Sequence, residues 1–355
     1  MFSPLLLTSR DALREILRRR RAPLRHSVGA RLRPLRREDI TMRHVLVLAG
    51  GLSHERDVSL RSGRRVADAL SRSGVEVHVR DVDQTLVDAI KSSPPEVVWP
   101  VLHGATGEDG ALRDVLASLG IAYVGSRPAS CHLTWDKPVA KALLAAAGIS
   151  TPAGVALSHA TFRELGAPAL LESVVDSLGL PLAVKPTRGG SALGLTIVRS
   201  AADLPSAMIA AYAYGDIALI ERFIAGTEVA VSLVEDEHGQ VRSLPAVEIV
   251  PDGGVYSYEA RYTAGATEFF TPARLGNSAA ESAAAASLTA YRTLGHQHLS
   301  RVDLIIDADE RPWFLEANVS PGMTETSLFP MAVAAAGLDT SGVYAGIVER
   351  VLATS

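Results

Sequence analysis

The chain has 355 residues, 47% of them hydrophobic, and a formal net charge of −4. That length can bury a large core divided among two or three domains, while the single cysteine, Cys131, excludes an internal disulfide framework and a cysteine-based zinc site. No run reaches the ~18 apolar residues of a membrane span, and Leu5–Leu7 is too short for a signal segment, so the expectation is a reduced, cytoplasmic protein with no membrane partner.

Charge is distributed unevenly. Residues 1–40 hold 11 arginines and 4 acidic residues, a net of +7, which leaves −11 on the remaining 315. A basic arm can touch nucleic acid or acidic lipid. The plainer reading of residues 1–41 is a disordered extension, because Met42 stands just before the first convincing strand. The acidic body argues against nucleic acid as a partner. Lysine is scarce beside arginine, and Lys91, Lys137, Lys141 and Lys185 are the four positions that keep it.

In chain order, residues 45–49 read as a buried strand, followed by Gly50-Gly51 and a helix with Val58, Val66, Ala67 and Leu70 on one side, closed by Gly74. Val75, Val77 and Val79 alternate as a second strand would. Residues 96–102 make a third, weakened by Pro100, then come a helix at 111–119 and a short strand at 121–124. The alternation predicts an α/β domain, 42–125, built on a doubly wound parallel sheet, with its glycine-rich loops at the edge where such sheets bind ligands. A second unit, 126–220, has a helix at 136–147 and strands at 182–186 and 195–198. A third, 221–355, has strands at 228–234, 244–250, 302–306 and 312–317 and an alanine-rich helix at 279–290. Its long irregular stretch, 251–277, has the length of a lid or binding loop.

Four blocks carry chemistry. In R-V-D-L-I-I-D-A-D-E-R-P-W-F-L-E-A-N-V-S-P-G (301–322), Asp303 opens one strand, and Glu316 and Asn318 share a face at the end of the next. If the strands pair as a hairpin, with a turn at 307–311, Asp303 can lie opposite Glu316 and Asn318. Such oxygen donors suit Mg²⁺, although solvated strand ends would carry the same residues. In K-P-T-R-G-G-S-A-L-G (185–194), Lys185 ends a strand, and Gly189, Gly190 and Gly194 allow backbone N–H groups to approach phosphate; many such loops are only turns. In G-G-L-S-H-E-R-D-V-S-L (50–60), Glu55 can hold an ammonium group or merely complement a helix N-terminus. In L-H-G-A-T-G-E-D-G (102–110), His103 follows a strand at the same sheet edge, and a lone histidine is more often a structural donor. His296 and His298 lack a third metal-ligand candidate nearby, and Cys131 reads as a buried filler.

Taken together, from about Met42 onward, G-G-x-S-x-E-R-x-V-S-L, H-G-x-x-G-E-D-G, V-K-P-x-R-x-G-S-x-x-G, Y-x-Y-E-A-R-Y and E-A-N-x-S-P-G-M-T resemble the D-alanine–D-alanine ligase family. The resemblance implies an ATP-grasp fold, α+β in its ATP-binding part, and ligation of two D-alanines through an acyl phosphate for peptidoglycan precursors, by a homodimer. It implies that Lys137 and Lys185 contact the ATP phosphates, that Glu221 and Glu228 bind adenine and ribose, and that Arg222, Phe223, Ile224 and Arg261 complete the nucleotide site. Asp303, Glu316 and Asn318 would hold two Mg²⁺, with Mn²⁺ an acceptable substitute. Glu55 would hold the ammonium of the first D-alanine, with His103 in the same site. Ser191 and Tyr262 would link to Glu55 and close the lid, Ser327 and Leu328 would meet the second D-alanine, and Arg301 with the backbone of Gly322 would stabilise the oxyanion.

Three positions depart from the family's usual residues, each with an expected effect on affinity or selectivity: Gly189 for an acidic residue, Arg261 for lysine, and His54 for a smaller residue. Arginine and lysine are not equivalent at phosphate. The competing readings are a related ligase using D-lactate, D-serine or a secondary-metabolite amino acid as second substrate, and an inactive nucleotide-binding regulator. Tyr262 within Y-E-A-R-Y favours the D-alanyl-D-alanine form, and the intact metal set and Arg301 disfavour the regulator.

Overall fold

The computed structural model describes residues 44–236 and 238–354, so the expected disordered extension at 1–41 lies outside the described residues. The first sheet is parallel. β1 (His44–Leu48) lies between β2 (Glu76–Arg80) and β3 (Val97–Pro100), with Leu48 opposite Arg80 and Pro100. The helix Arg56–Arg72 covers it, burying Val66, Ala67 and Leu70 against Val45 and Val47. Contact is closest at Gly63, where an added Cβ would lie 2.4 Å from that of Ala49. The strand expected at 121–124 contributes only an isolated bridge between Tyr123 and Val98.

The second sheet is antiparallel, in the order β4 (Gly154–Ser158), β7 (Ile217–Arg222), β5 (Leu182–Pro186), β6 (Thr196–Val198). Helices Ala167–Leu178 and Leu204–Tyr212 pack over it through Leu171, Val174, Leu204, Ala207 and Met208. Strand β7 runs through residues 220 and 221, where the sequence reading divides the second unit from the third.

The third sheet runs β11 (Thr267–Phe270), β10 (Val247–Pro251), β8 (Thr227–Glu235), β12 (Leu299–Ile306), β13 (Pro312–Asn318), with β9 (Val241–Ser243) on β8. Its neighbours are all antiparallel. The stretch 251–277 is not irregular throughout: it holds the helix Tyr258–Tyr262 and strand β11, which pairs with β10 and so ties the stretch to the sheet. One face of the sheet is covered by the helices Asn277–Leu294 and Lys137–Ala146, through Ala140, Leu144, Ala283 and Ala290. Another core joins the first and third sheets, where Trp99 and Val45 share a cluster with Val247, Phe329, Tyr344 and Val348. Among the described residues no single helix is long and apolar enough to cross a membrane.

Candidate active site

Two cavities, of about 1040 and 1510 Å³, open among the ends of these sheets. They share a wall made by Lys137, Gly189, Gly190, Tyr256, Arg261 and Glu316. Whatever fills one therefore faces what fills the other across a few side chains, the arrangement needed to join two molecules.

The smaller cavity is polar. Glu55 stands at the N-terminal end of the helix Arg56–Arg72, 8% exposed. Its Oε1 accepts a hydrogen bond from the Ser191 hydroxyl and another, of 3.2 Å, from Tyr262 Oη, and those two hydroxyls lie 2.7 Å apart. The triad gathers a helix start, the glycine loop after β5, and the helix Tyr258–Tyr262. Ser191 adopts φ +51° to reach it, a left-handed conformation that costs a non-glycine residue energy and is often found at functional sites. Burial, with the Glu55 charge, pushes the Tyr262 phenol up to about 12, so it remains a donor at neutral pH. His103 and Glu108 also line this cavity. Burial pushes the His103 imidazole down, with Glu55 opposing, and no partner reaches its buried Nε2. Burial, then Glu55, pushes the Glu108 carboxyl up to about 8.

At the far end of the same cavity stand Gly322, Thr324, Thr326, Ser327 and Leu328. Ser327 Oγ accepts the Thr324 N–H at 2.9 Å, and an added Cβ on Gly322 would lie 2.7 Å from that oxygen, so a side chain there would displace the Ser327 hydroxyl. His54, by contrast, is exposed and lines neither cavity.

The larger cavity is lined by Lys185, Glu221, Arg222, Phe223, Ile224, Glu228, Arg261, Asp303 and Glu316. Glu221 is 2% exposed and is gripped on both oxygens, by Lys185 at 2.5 Å and Lys141 at 2.6 Å. Burial alone would raise the Glu221 pKa, but the two ammonium groups more than offset that and hold it below the usual carboxylate range. Lys141 is pushed down to about 8 by burial, which outweighs the opposing Glu221 carboxylate, and the neighbouring Lys185 charge adds to the depression. Burial pushes Glu228 up to about 7. The Phe223 N–H already donates to the Pro181 carbonyl at 3.1 Å. Gly189 adopts φ +123°, and its carbonyl accepts from Lys137 Nζ at 2.7 Å, which fixes the loop against that lysine. Arg261 lies 4.0 Å above the Tyr256 ring.

The β12–β13 hairpin sets Asp303 opposite Glu316 and Arg301 opposite Asn318. Asp303 accepts two hydrogen bonds from Arg301, at 2.7 Å from Nε and 2.8 Å from Nη2, which leaves Nη1 without a protein partner among the described residues. Burial disfavours the guanidinium charge, yet the Asp303 carboxylate raises the Arg301 pKa above its ordinary value. Glu316 lies 3.3 Å from Lys137 and, despite burial, is held down at about 2 by Lys137 and the neighbouring arginines and lysine. Among the described residues no three His, Cys, Asp or Glu side chains cluster as a metal site. The set anticipated from sequence is two carboxylates and an amide. Its members stand together at the wall between the cavities, and hard oxygen donors that leave coordination positions open suit Mg²⁺ bound with phosphate oxygens.

Residues 143–351 match the family model described as "D-ala D-ala ligase C-terminus". The chain belongs to the D-alanine–D-alanine ligase family. The D-alanine–D-alanine ligase of Bordetella petrii is 41% identical over 304 residues, covering 86% of this chain and 90% of the relative, and that of Gloeobacter violaceus is 40% identical, covering 87% and 99%. The crystal structure of the Bacillus anthracis D-alanine–D-alanine ligase complexed with ATP superposes with a TM-score of 0.74 at 29% identity, over 88% of this chain and 98% of that one. The VanG D-Ala:D-Ser ligase of Enterococcus faecalis gives 0.75 at 26%, over 87% and 99%. The fold is thus the family's ATP-grasp fold, with a parallel N-terminal sheet.

The site anticipated from the family's motifs falls within the two cavities. Lys141 is the clearest omission: it touches the same carboxylate as Lys185, and its only trace in the sequence is the survival of a lysine in an arginine-rich chain. Glu108, Thr324 and Thr326 also line the site without having been anticipated, although the first two stand inside quoted motifs.

Proposed function

We propose that the chain joins two D-alanines to D-alanyl-D-alanine at the expense of ATP. The observation that carries this reading is the wall shared by the two cavities, with Lys137, Gly189 and Gly190 on both sides of it. ATP occupies the larger cavity, where Phe223 and Ile224 border the base and Lys137 and Lys185 meet the phosphates. The first D-alanine occupies the smaller one, its ammonium on Glu55.

A carboxylate is a poor acyl donor. Its oxygen attacks the γ-phosphorus, ADP leaves, and an acyl phosphate remains. Asp303, Glu316 and Asn318 would hold the Mg²⁺ that offsets charge on the transferring phosphate. The amine of the second D-alanine, its carboxylate near Ser327 and Leu328, then attacks the acyl carbon and phosphate leaves. Arg301 has a free Nη1 because Asp303 fixes its other two nitrogens, and with the Gly322 N–H it can receive the oxyanion. The Glu55–Ser191–Tyr262 contacts hold the segment 251–270 over the site and keep water from the acyl phosphate. The product serves peptidoglycan precursor assembly in the cytoplasm, and the active form is a homodimer.

The test supplies ATP and Mg²⁺ with D-alanine alone, then with D-alanine plus D-serine or D-lactate, and identifies products by mass. Dipeptide of D-alanine as the dominant product is expected. A mixed product from D-serine or D-lactate in preference would move the reading to a ligase with another second substrate, and phosphate release without any condensation product would defeat it.

A further inference from the structure

Three carboxylates line the smaller cavity, and of these Glu108 alone has no part in the chemistry above. Glu108 closes the short helix Ala105–Glu108 and is 8% exposed. The two acids lie against one glycine: a methyl built on Gly190 would sit 3.6 Å from Glu55 Oε2 and 3.8 Å from Glu108 Oε1. Each has its Oε1 held by the fold, Glu55 by the two hydroxyls and Glu108 by the Gly104 N–H at 2.9 Å. Each leaves Oε2 without a protein donor among the described residues. His103 lines the same cavity, its ring engaged with the Ser320 backbone and its Nε2 buried without a partner. An ammonium group brings three N–H donors, and two open carboxylate oxygens line this one cavity.

We propose that Glu108 is a second ammonium-binding carboxylate, which clamps the first amino acid together with Glu55 and releases its own proton to solvent when that ammonium enters. The inference rests on the ligase reading. Burial, then Glu55 and Glu316, keep the Glu108 proton on, against the Gly104 N–H and Lys137, so the group ionises only near pH 8. The other charges facing this region are Arg61, Arg261 and Arg301, which line the same cavity, and Arg113, which is buried and donates to the Gly107 carbonyl behind Glu108. Together they do not outweigh the burial. A substrate ammonium adds a positive charge inside the same cavity, which favours the ionised carboxylate. The step balances: Glu108–COOH becomes Glu108–COO⁻, one proton goes to solvent, and the ammonium keeps its three hydrogens. The clamp also selects against hydroxy acids at the first position, because they bring no cation to draw the proton off.

The test is calorimetry of D-alanine binding to the full chain saturated with Mg²⁺ and a non-hydrolysable ATP analogue, in phosphate and in Tris, whose ionisation heats differ. At pH 7 the wild type should release close to one proton for the first D-alanine bound, because a group with pKa about 8 is about 90% protonated there, and release should fall towards zero as pH rises past about 8. Glu108→Gln should abolish the release and weaken D-alanine binding by about 10-fold, the scale of one hydrogen bond to a charged group. D-alanine binding without proton release in the wild type, which needs no variant, would overturn the proposal, as would unchanged release in Glu108→Gln. Failure of the wild type to bind D-alanine at all would instead overturn the ligase reading on which it stands.

Discussion

Tyr262 and Ser191 reach the same oxygen of Glu55 from two different segments, so single hydroxyls tie those segments together at the site. Tyr262→Phe removes one of them while keeping the ring, and the side chain is 40% exposed, so folding should not suffer. The expected result is a rise of about 5- to 10-fold in KM for D-alanine with an unchanged melting temperature, which steady-state kinetics and a thermal melt can check. Arg301→Lys keeps the charge but loses the two-pronged hold on Asp303. It should lower kcat by roughly 100-fold, the scale of an oxyanion donor, with a smaller effect on KM for ATP. A pH effect follows from Glu108. Its folded pKa, about 8, lies above the ordinary 4.5, so the proton it retains favours the folded state fully below 4.5, and that contribution is lost as pH rises towards 8. Glu228, at about 7, acts in the same sense. Urea unfolding at pH 5, 6, 7 and 8 should therefore show the ligand-free wild type losing stability relative to Glu108→Gln as pH rises. A difference that stays constant over that range would contradict it.

At the scale of elements, the helix Arg56–Arg72 meets β1 so closely at Gly63 that a methyl there would sit 2.4 Å from the Ala49 Cβ. Gly63→Ala should cost about 1–3 kcal/mol in denaturant unfolding, the usual cost of overpacking a buried contact. The β12–β13 hairpin was legible in advance, because two apolar runs flank a polar turn and the period of two fixes which side chains share a face. The register shift between Asp303 and Leu304 was not, since nothing in the residue types marks it. Strand β11 was missed because its four residues, T-E-F-F, are held by pairing with β10, a contact between segments that no local pattern announces. Strand β7 is a continuous apolar run, I-A-L-I, and such runs carry no periodicity to separate strand from helix.

Across the whole molecule, the site draws on a helix start, two glycine loops, two hairpin strands and a turn, all between residues 55 and 328. The motifs named most of its members, but not the wall between the cavities or the grip of Lys141 and Lys185 on one carboxylate, because those are products of packing between distant segments. Since the family motifs all lie after Met42 and the matched family model covers residues 143–351, deleting residues 1–41 should leave ligase turnover intact, measured as dipeptide formed per enzyme. The shared wall has a sharper consequence: a substrate carboxylate oxygen must pass to the γ-phosphoryl group. D-alanine labelled with ¹⁸O in its carboxylate, turned over with ATP and Mg²⁺, should yield inorganic phosphate carrying one ¹⁸O per dipeptide formed. Phosphate free of label, with its new oxygen drawn from water, would contradict transfer between the two cavities.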